Sequence, residues 1–315
     1  MSQPIILLIG PTAVGKTNVA MALQDLLGGT AHAQLISADS AMVYRGMDIG
    51  SAKPSETELM RYPHALINIR DPEDPYTAAD FVVDADRCVT QALAQGQVPI
   101  IVGGTMLYVK RFVEGIADLP PADPKLRQTL AAELQQHGAA ALHTELTAID
   151  PVAASNIHPN NHQRLLRALE VVRITGQSLT RQWQSKASAT ATERLGVPVH
   201  TFAIVPKDRS QLHERIAQRF DAMLDIGFVD ELERLRTRPG VHAELPALRC
   251  VGYRQGLQYL AGTLTAQEFR DAALTATRRL AKRQLTWLRQ WPDLKLLDGC
   301  DTTALAQQIH RQVGL

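Results

Sequence analysis

Apolar residues recur along the chain in two rhythms. Ile5-Ile6-Leu7-Leu8-Ile9, Gln34 to Ala38 and Val98 to Val102 are short, nearly continuous apolar runs, the pattern of strands buried on both faces of a parallel sheet. Val199 to Val205 alternates enough to pair beside them. Between the runs the period lengthens to that of a helix: Val19, Ala20, Leu23, Leu26 and Leu27 form one stripe, and Phe81, Val82, Ala85, Cys88, Val89 and Leu93 another. Strands alternating with amphipathic helices predict an α/β core. From Leu119 the rhythm changes. Pro120, Pro121 and Pro124 punctuate the chain, and helical patterns run from about Lys125 to Gln136 and from about Ala139 to Leu146. Asn160-Asn161 caps a further helix carrying Leu165, Leu166, Leu169 and Val172 and ending at Gly176. The expected organisation is a core of residues 1–118 and 199–315, interrupted by a helical insertion over 119–198, with Thr302 to Val313 as a short last helix.

The step from the first strand to the first helical stripe is Gly10-Pro11-Thr12-Ala13-Val14-Gly15-Lys16-Thr17, with the spacing G-x-x-x-x-G-K-[ST]. Glycines permit backbone conformations in which successive N–H groups face phosphate oxygens. The helix dipole and Lys16 add positive charge, and the Thr17 hydroxyl can ligate Mg²⁺. The predicted fold is therefore a P-loop NTPase-like parallel sheet flanked by helices, with an inserted all-helical domain. Gly10, Thr12, Ala13, Val14, Gly15, Lys16 and Thr17 are the phosphate-contacting candidates. The loop predicts a phosphorylated ligand and leaves open whether a phosphoryl group moves.

Two other strand ends carry chemistry. Asp39-Ser40 follows the second strand, where it reads either as a ligand-facing pair or as a helix N-cap. The aperiodic loop MVYRGMDIGSAKP comes next. The third strand ends in Gly103-Gly104-Thr105, where a phosphoryl-transferring P-loop enzyme usually has an Asp that holds Mg²⁺. Two glycines admit a flat ligand or another backbone, and Thr105 can hydrogen-bond the ligand or cap a tight turn.

Composition changes this picture little. The 315 residues are 45% hydrophobic and 21% charged with a net charge of +1, an ordinary globular balance in which a polyanion site must come from local clustering. Three scattered cysteines, Cys88, Cys250 and Cys300, argue against a disulfide framework or zinc site and for a reducing compartment. There is no signal-type or membrane-spanning run, so a soluble cytoplasmic protein is expected. Cations do cluster locally. Arg164, Arg167, Arg173, Arg181 and Lys186 face Glu170 as the one acid before Glu193, and Arg278, Arg279, Lys282, Arg283 and Arg289 lie in a stretch with no acid between Asp271 and Asp293. Such faces suit a nucleic-acid groove, a membrane surface or plain solvation. Trp287 and Trp291 are expected to face the core. Arg249-Cys250-Val251-Gly252-Tyr253-Arg254 suits phosphate contact and base stacking, and Arg215 and Arg219, one turn apart, suit a phosphate clamp or surface salt bridges. The acidic stretch from Asp71 to Asp86 reads as a solvated face.

GPTAVGKT, DSAMVYRGMDIGSAKP, GGTMLYVK, NNHQRLLRALEVVRITG, RCVGYR and KRQLTWLRQW, in that order from residue 10 to about 291, together resemble the tRNA dimethylallyltransferases (tRNA isopentenyltransferases) of bacterial type. Met42 and Ser51 are small departures that remove no polar catalytic group. The resemblance implies prenyl transfer from dimethylallyl diphosphate to N6 of the adenine 3′-adjacent to the anticodon, in tRNAs reading codons that begin with U, with release of pyrophosphate. It implies Asp39 as general base and Thr105 as a substrate-orienting group. The P-loop residues, Arg215 and Arg219 would bind the diphosphate, with Mg²⁺ on Thr17. It further implies tRNA contacts at Asp39, Ser40, Ala41, Met42, Arg127, Gln163, Arg164, Leu165, Leu166, Arg167, Arg249, Cys250, Val251, Gly252, Tyr253, Arg254, Lys282, Arg283 and Arg289, with the anticodon stem-loop as partner and a monomeric protein. An adenylate isopentenyltransferase would not need the two basic segments. A small-molecule P-loop kinase would be expected to carry the second Mg²⁺ motif, and a nucleotide-switched RNA-binding module would need guanine-reading motifs that the sequence lacks.

Overall fold

The computed structural model describes residues 3–116, 119–185, 189–299 and 301–315; Lys186, Cys300 and the expected domain junction at residue 118 lie outside them. The chain divides into two compact units, residues 1–114 with 190–315, and 115–189. The first stretch of the larger unit contains β1 (Ile5–Ile9), α1 (Lys16–Leu26), β2 (Ala33–Ser37), α2 (Glu56–Arg61), β3 (His64–Ala65), α3 (Ala78–Ala94), β4 (Val98–Gly103) and α4 (Met106–Glu114). The smaller unit holds α5 (Pro124–Ile149), α6 (Pro151–Asn156), α7 (His162–Thr175) and α8 (Leu179–Ser185). The larger unit resumes with α9 (Ala191–Leu195), β5 (Val199–Val205), α10 (Arg209–Asp225), α11 (Phe228–Arg236) and α12 (Tyr253–Leu260). It ends with α13 (Ala266–Arg289), β6 (Lys295–Asp298) and α14 (Thr302–Val313).

Among the described residues the larger unit has one parallel sheet in the order β3-β2-β4-β1-β5-β6. All five residues of β1 are fully buried, as a strand covered on both faces requires. One face packs on α1 and α14 through Leu8, Val19, Leu23, Leu305 and Ile309. The edge strands β3 and β6 add to the strands expected from the sequence: β3 has two residues and β6 buries only Leu297, too little apolar periodicity to announce a strand. The connection from β1 through α1 to β2 passes over β4. The carboxyl ends of β2, β4 and β1 therefore lie side by side, where ligands bind in open parallel sheets.

Two expectations change. Helix α9 falls in the larger unit, because Arg194 donates to both Asp86 carboxylate oxygens (2.8 and 2.9 Å) and to the Phe112 carbonyl (2.9 Å). The acidic stretch stays partly solvated, with Asp71 49% and Asp74 64% exposed at the side chain, but it is paired as well. Glu73 and Asp71 accept from Arg238, Asp84 accepts from the Tyr76 hydroxyl, and Asp80 closes the capping box of α3.

The smaller unit packs around Leu130, Leu142, Leu146, Leu165 and Leu169. Gly138 (φ 78°, ψ 164°) breaks α5 between the two helical patterns read from the sequence, and Gly176 closes α7 in the left-handed region (φ 68°). Its buried polar centre is Glu170, whose side chain is fully covered. Glu170 accepts from Arg127 Nε (2.9 Å), Arg167 Nη1 (2.6 Å) and the Asp123 backbone N–H (2.9 Å). Burial pushes its carboxyl upward, but the hydrogen bonds from Arg167 and Arg127 outweigh this and hold it below the usual carboxylate range. Removing one partner of a buried charge cluster costs roughly 3–5 kcal/mol. Glu170→Ala should therefore lower the urea midpoint of the full chain and open the 115–189 unit to proteolysis, with the larger unit resisting digestion as before.

Candidate active site

Residues 10–17 turn from β1 into α1 as a phosphate cradle. Ala13 (φ 63°) and Gly15 (φ 92°) adopt left-handed backbone conformations, and a Cβ on Gly10 would lie 2.6 Å from the Ile204 carbonyl oxygen. No side chain caps α1, so the N–H groups of its first turn are presented to a ligand. Lys16 Nζ donates to the Pro11 carbonyl (2.7 Å), folding the side chain back over the loop. Surrounding protein lowers the Lys16 pKa to about 8; Asp39 opposes this shift and Arg219 adds to it.

The neighbouring strand ends meet this cradle. Asp39 Oδ1 accepts the backbone N–H groups of Ala41 (2.8 Å) and Met42 (3.3 Å), a turn-closing arrangement without a helix. Oδ2 accepts no hydrogen bond from the described residues. Thr105 Oγ1 accepts the Ser40 N–H (3.0 Å), and the two hydroxyls lie 3.2 Å apart. A Cβ on Gly103 would stand 2.1 Å from the Ala38 carbonyl oxygen, so β4 approaches β2 as only glycine allows. At this position the chain has backbone where phosphoryl-transfer enzymes carry a carboxylate.

The aperiodic loop is held by polar groups that belong to no motif in the sequence. Glu231 is 2% exposed and accepts the N–H groups of Asp48 (2.8 Å), Ile49 (2.6 Å) and Gly50 (3.1 Å) and the Tyr253 hydroxyl (2.6 Å). Lys53 Nζ donates to the Tyr44 carbonyl (2.8 Å), Asp48 Oδ1 (2.5 Å) and Asn68 Oδ1 (2.5 Å). Gln284, 6% exposed, accepts the Thr12 N–H at Oε1 (2.9 Å) and donates from Nε2 to the Gly104 carbonyl (2.8 Å). The available signal was position: Glu231 shares the inward face of α11 with Phe228, Leu232 and Leu235, and Gln284 lies between Ala281 and Leu288 on α13.

The other predicted residues divide by exposure. Arg219 is drawn into the site: burial lowers its pKa and Asp39 opposes the shift. Arg215 instead lines a small hollow with Val14, Lys207 and Gln211. Cys250 is half-buried, and its thiol is pushed up to about 12, first by burial and then by Asp39. Gln163, Arg164, Arg249, Arg254, Lys282, Arg283 and Arg289 are exposed; Ser40, Ala41, Met42, Leu166 and Val251 are half-buried. Gly252 (φ 91°) starts α12. Arg127 and Arg167 are engaged by Glu170. Several expectations need correction. Leu165 is fully buried in the insertion core, and Tyr253 is fully buried with its ring edge-on to Phe228, so neither side chain offers a surface to RNA. Val14 is 5% exposed, which leaves only its backbone for a phosphate. Trp287 and Trp291 are half-buried rather than in the core, with Lys110 Nζ 5.5 Å from the Trp287 ring centre.

Among the described residues no three His, Cys, Asp or Glu side chains converge on one point. Mg²⁺ keeps several waters and takes further oxygens from substrate phosphates. The Thr17 hydroxyl at the start of α1, beside a phosphate cradle, fits that donor chemistry.

Residues 42–291 match the family model described as IPP transferase. A tRNA dimethylallyltransferase of Chromohalobacter salexigens is 51% identical over 98% of this chain and 95% of its own. The crystal structure of the full-length tRNA isopentenylpyrophosphate transferase from Bacillus halodurans superposes with a TM-score of 0.70 at 34% identity, covering 100% of this chain and 96% of the other. A eukaryotic dimethylallyltransferase acting on tRNA, 23% identical, shares the fold with a TM-score of 0.81 over 99% of this chain and 77% of its own.

An anion bound at the cradle raises the Lys16 pKa, so binding near or above pH 8 takes up a proton. Calorimetric titration with inorganic pyrophosphate in buffers of different ionisation enthalpy should show, relative to Lys16→Met, extra proton uptake at pH 8.5 and an affinity advantage that shrinks as pH rises from 8 to 10.

Proposed function

The chain belongs to the IPP transferase family, and from that premise we propose that it transfers the dimethylallyl group of dimethylallyl diphosphate to N6 of the adenine 3′-adjacent to the anticodon. The acceptors are tRNAs reading codons that begin with U, and pyrophosphate is released. One observation carries the reading at residue level: a phosphate cradle stands beside Asp39, and the adjoining strand ends in Gly103-Gly104 instead of a carboxylate. That combination suits departure of a whole diphosphate better than movement of one phosphoryl group.

In the reaction the allylic C1–O bond breaks, its electron pair leaves with the diphosphate, and a C1–N6 bond forms. An exocyclic aromatic amine is a weak nucleophile, so stabilising the leaving group and aligning the amine supply most of the rate enhancement. The α1 amides, Lys16 and Arg219 take the diphosphate charge, with Arg215 at the edge of the cradle. Thr17 would hold Mg²⁺, which would supply further charge neutralisation for the diphosphate. Asp39 Oδ2, the oxygen that accepts no hydrogen bond from the described residues, takes the N6 proton, while Oδ1 keeps the Ala41 and Met42 turn in place. Thr105 fixes the Ser40 end of that turn and faces the acceptor. The adenine reaches this point by leaving its stack, and the exposed cations of α13, the 249–254 turn and α7 bind the phosphates of the anticodon stem-loop. No described helix is long and apolar enough to cross a membrane; a cytoplasmic, monomeric enzyme is part of the proposal.

Incubating the purified protein with dimethylallyl diphosphate, Mg²⁺ and unmodified tRNA, followed by nucleoside mass spectrometry, should yield prenylated adenosine from the anticodon loop and none from free AMP. Absence of product with an active metabolite-kinase signal would overturn the assignment. Asp39→Ala should lower turnover by about 10²-fold or more, the range for loss of a general base, while tRNA binding in a filter assay stays within a few-fold. Near-normal turnover would remove Asp39 from that role.

A further inference from the structure

Helix α13 has two faces with different duties. Lys282, Arg283 and Arg289 are exposed, whereas Gln284 in the same turn is almost fully covered and points at the floor of the site. Its amide has one acceptor and one donor end, and both are used. Oε1 takes the N–H of Thr12 in the phosphate loop, and Nε2 gives a hydrogen bond to the carbonyl of Gly104 in the turn after β4. These partners are 272 and 180 residues away in sequence. The approach depends on Gly104 having no side chain, since a Cβ there would meet Gln284 Nε2 at 2.7 Å and lie 3.6 Å from Lys16 Nζ. A second contact joins α13 to α4 one turn on, where Lys110 Nζ lies 5.5 Å from the Trp287 ring centre.

We propose that Gln284 is a positioning residue for prenyl transfer: its amide holds the diphosphate cradle and the Gly104-Thr105 turn in one geometry and links both to the helix that docks RNA. Thr12 then spends its N–H on this tie, leaving its hydroxyl for the ligand. Thr105, next to the tied carbonyl, in turn holds Ser40 beside Asp39. One amide thus fixes the distance between the leaving-group site and the base. RNA bound on the outer face of α13 and diphosphate bound in the loop both restrict this amide, so each favours the other, and linkage makes the effect reciprocal. The inference rests on the prenyl-transfer reading.

Two variants test it. Gln284→Met keeps length and volume but loses both hydrogen bonds. Gln284→Glu keeps an acceptor for Thr12 and loses the donor to Gly104 while ionised. The measurements are kcat and KM for tRNA prenylation, and the affinity for an unmodified anticodon stem-loop RNA with and without inorganic pyrophosphate and Mg²⁺. In the wild type, pyrophosphate should tighten RNA binding about 5-fold or more, the lower range of measured couplings. In Gln284→Met the coupling should fall to near 1 and kcat should drop at least 10-fold, while RNA affinity without pyrophosphate and the KM for tRNA stay within about 2-fold. Gln284→Glu should regain part of the coupling as pH falls and its carboxyl takes up the proton that restores the donor. A Gln284→Met enzyme with wild-type kcat and coupling, or a loss shared equally by RNA binding alone, would overturn the inference. A wild type that prenylates without coupling would do the same and leave the activity standing, whereas a wild type with no prenylation would remove the activity itself.

Discussion

The close approach of bare backbone at Gly103 and Gly104 underlies the whole site. A methyl group at the first would stand 2.1 Å from the Ala38 carbonyl oxygen, and at the second 2.7 Å from the Gln284 amide. Without these contacts the end of β4 could not nest between the ends of β2 and β1, and Asp39 would not share an electrostatic environment with Lys16 and Arg219. The sheet order supplies the neighbours; the missing side chains supply the distance. The same two residues also occupy the place where a phosphoryl-transfer enzyme keeps its metal-binding carboxylate, so one local choice sets both the geometry and the chemical class.

Three buried polar side chains then take over where regular structure stops. Glu231 gathers three consecutive backbone N–H groups of an aperiodic loop, Gln284 ties two loops to a helix, and Glu170 gathers two arginines and a backbone N–H. A buried donor or acceptor left unpaired costs about 1–3 kcal/mol, so each loop is ordered by the cost of leaving its anchor unsatisfied as much as by its own contacts. The loops keep polar, irregular surfaces toward the ligand while their interior edges are as fixed as a strand.

Much of this was legible in the chain. The buried strands, the phosphate loop, the helix from Asn161 to Gly176 and the break near residue 138 follow from periodicity and capping, which are local. The anchors were harder to see because their meaning is set by partners far away in sequence. Gln284 reads as one polar residue in a basic helix until the fold brings it to Thr12 and Gly104. Leu165 and Tyr253 show the opposite error: they sit within motifs that carry chemistry, but their own side chains build the core beneath it. The edge strands β3 and β6 escaped notice because a sheet edge asks little of its sequence.

The Glu170 cluster has a consequence for the insertion as an electrostatic surface. Counted by residue, Arg127 and Arg167 contribute two positive charges to that face; counted with the carboxylate buried between them, the group carries one. Arg127 Nε and Nη2 and Arg167 Nη1 point inward to Glu170, and Arg167 Nη2 is given to the Pro120 carbonyl, so the donors left outward sit on guanidinium groups fixed in direction. A polyanion meeting this patch displaces fewer condensed counterions than the arginine count suggests. What the patch offers instead is orientation: a rigid guanidinium pair can fix the angle at which a phosphate backbone lies, whereas mobile surface lysines would only attract it.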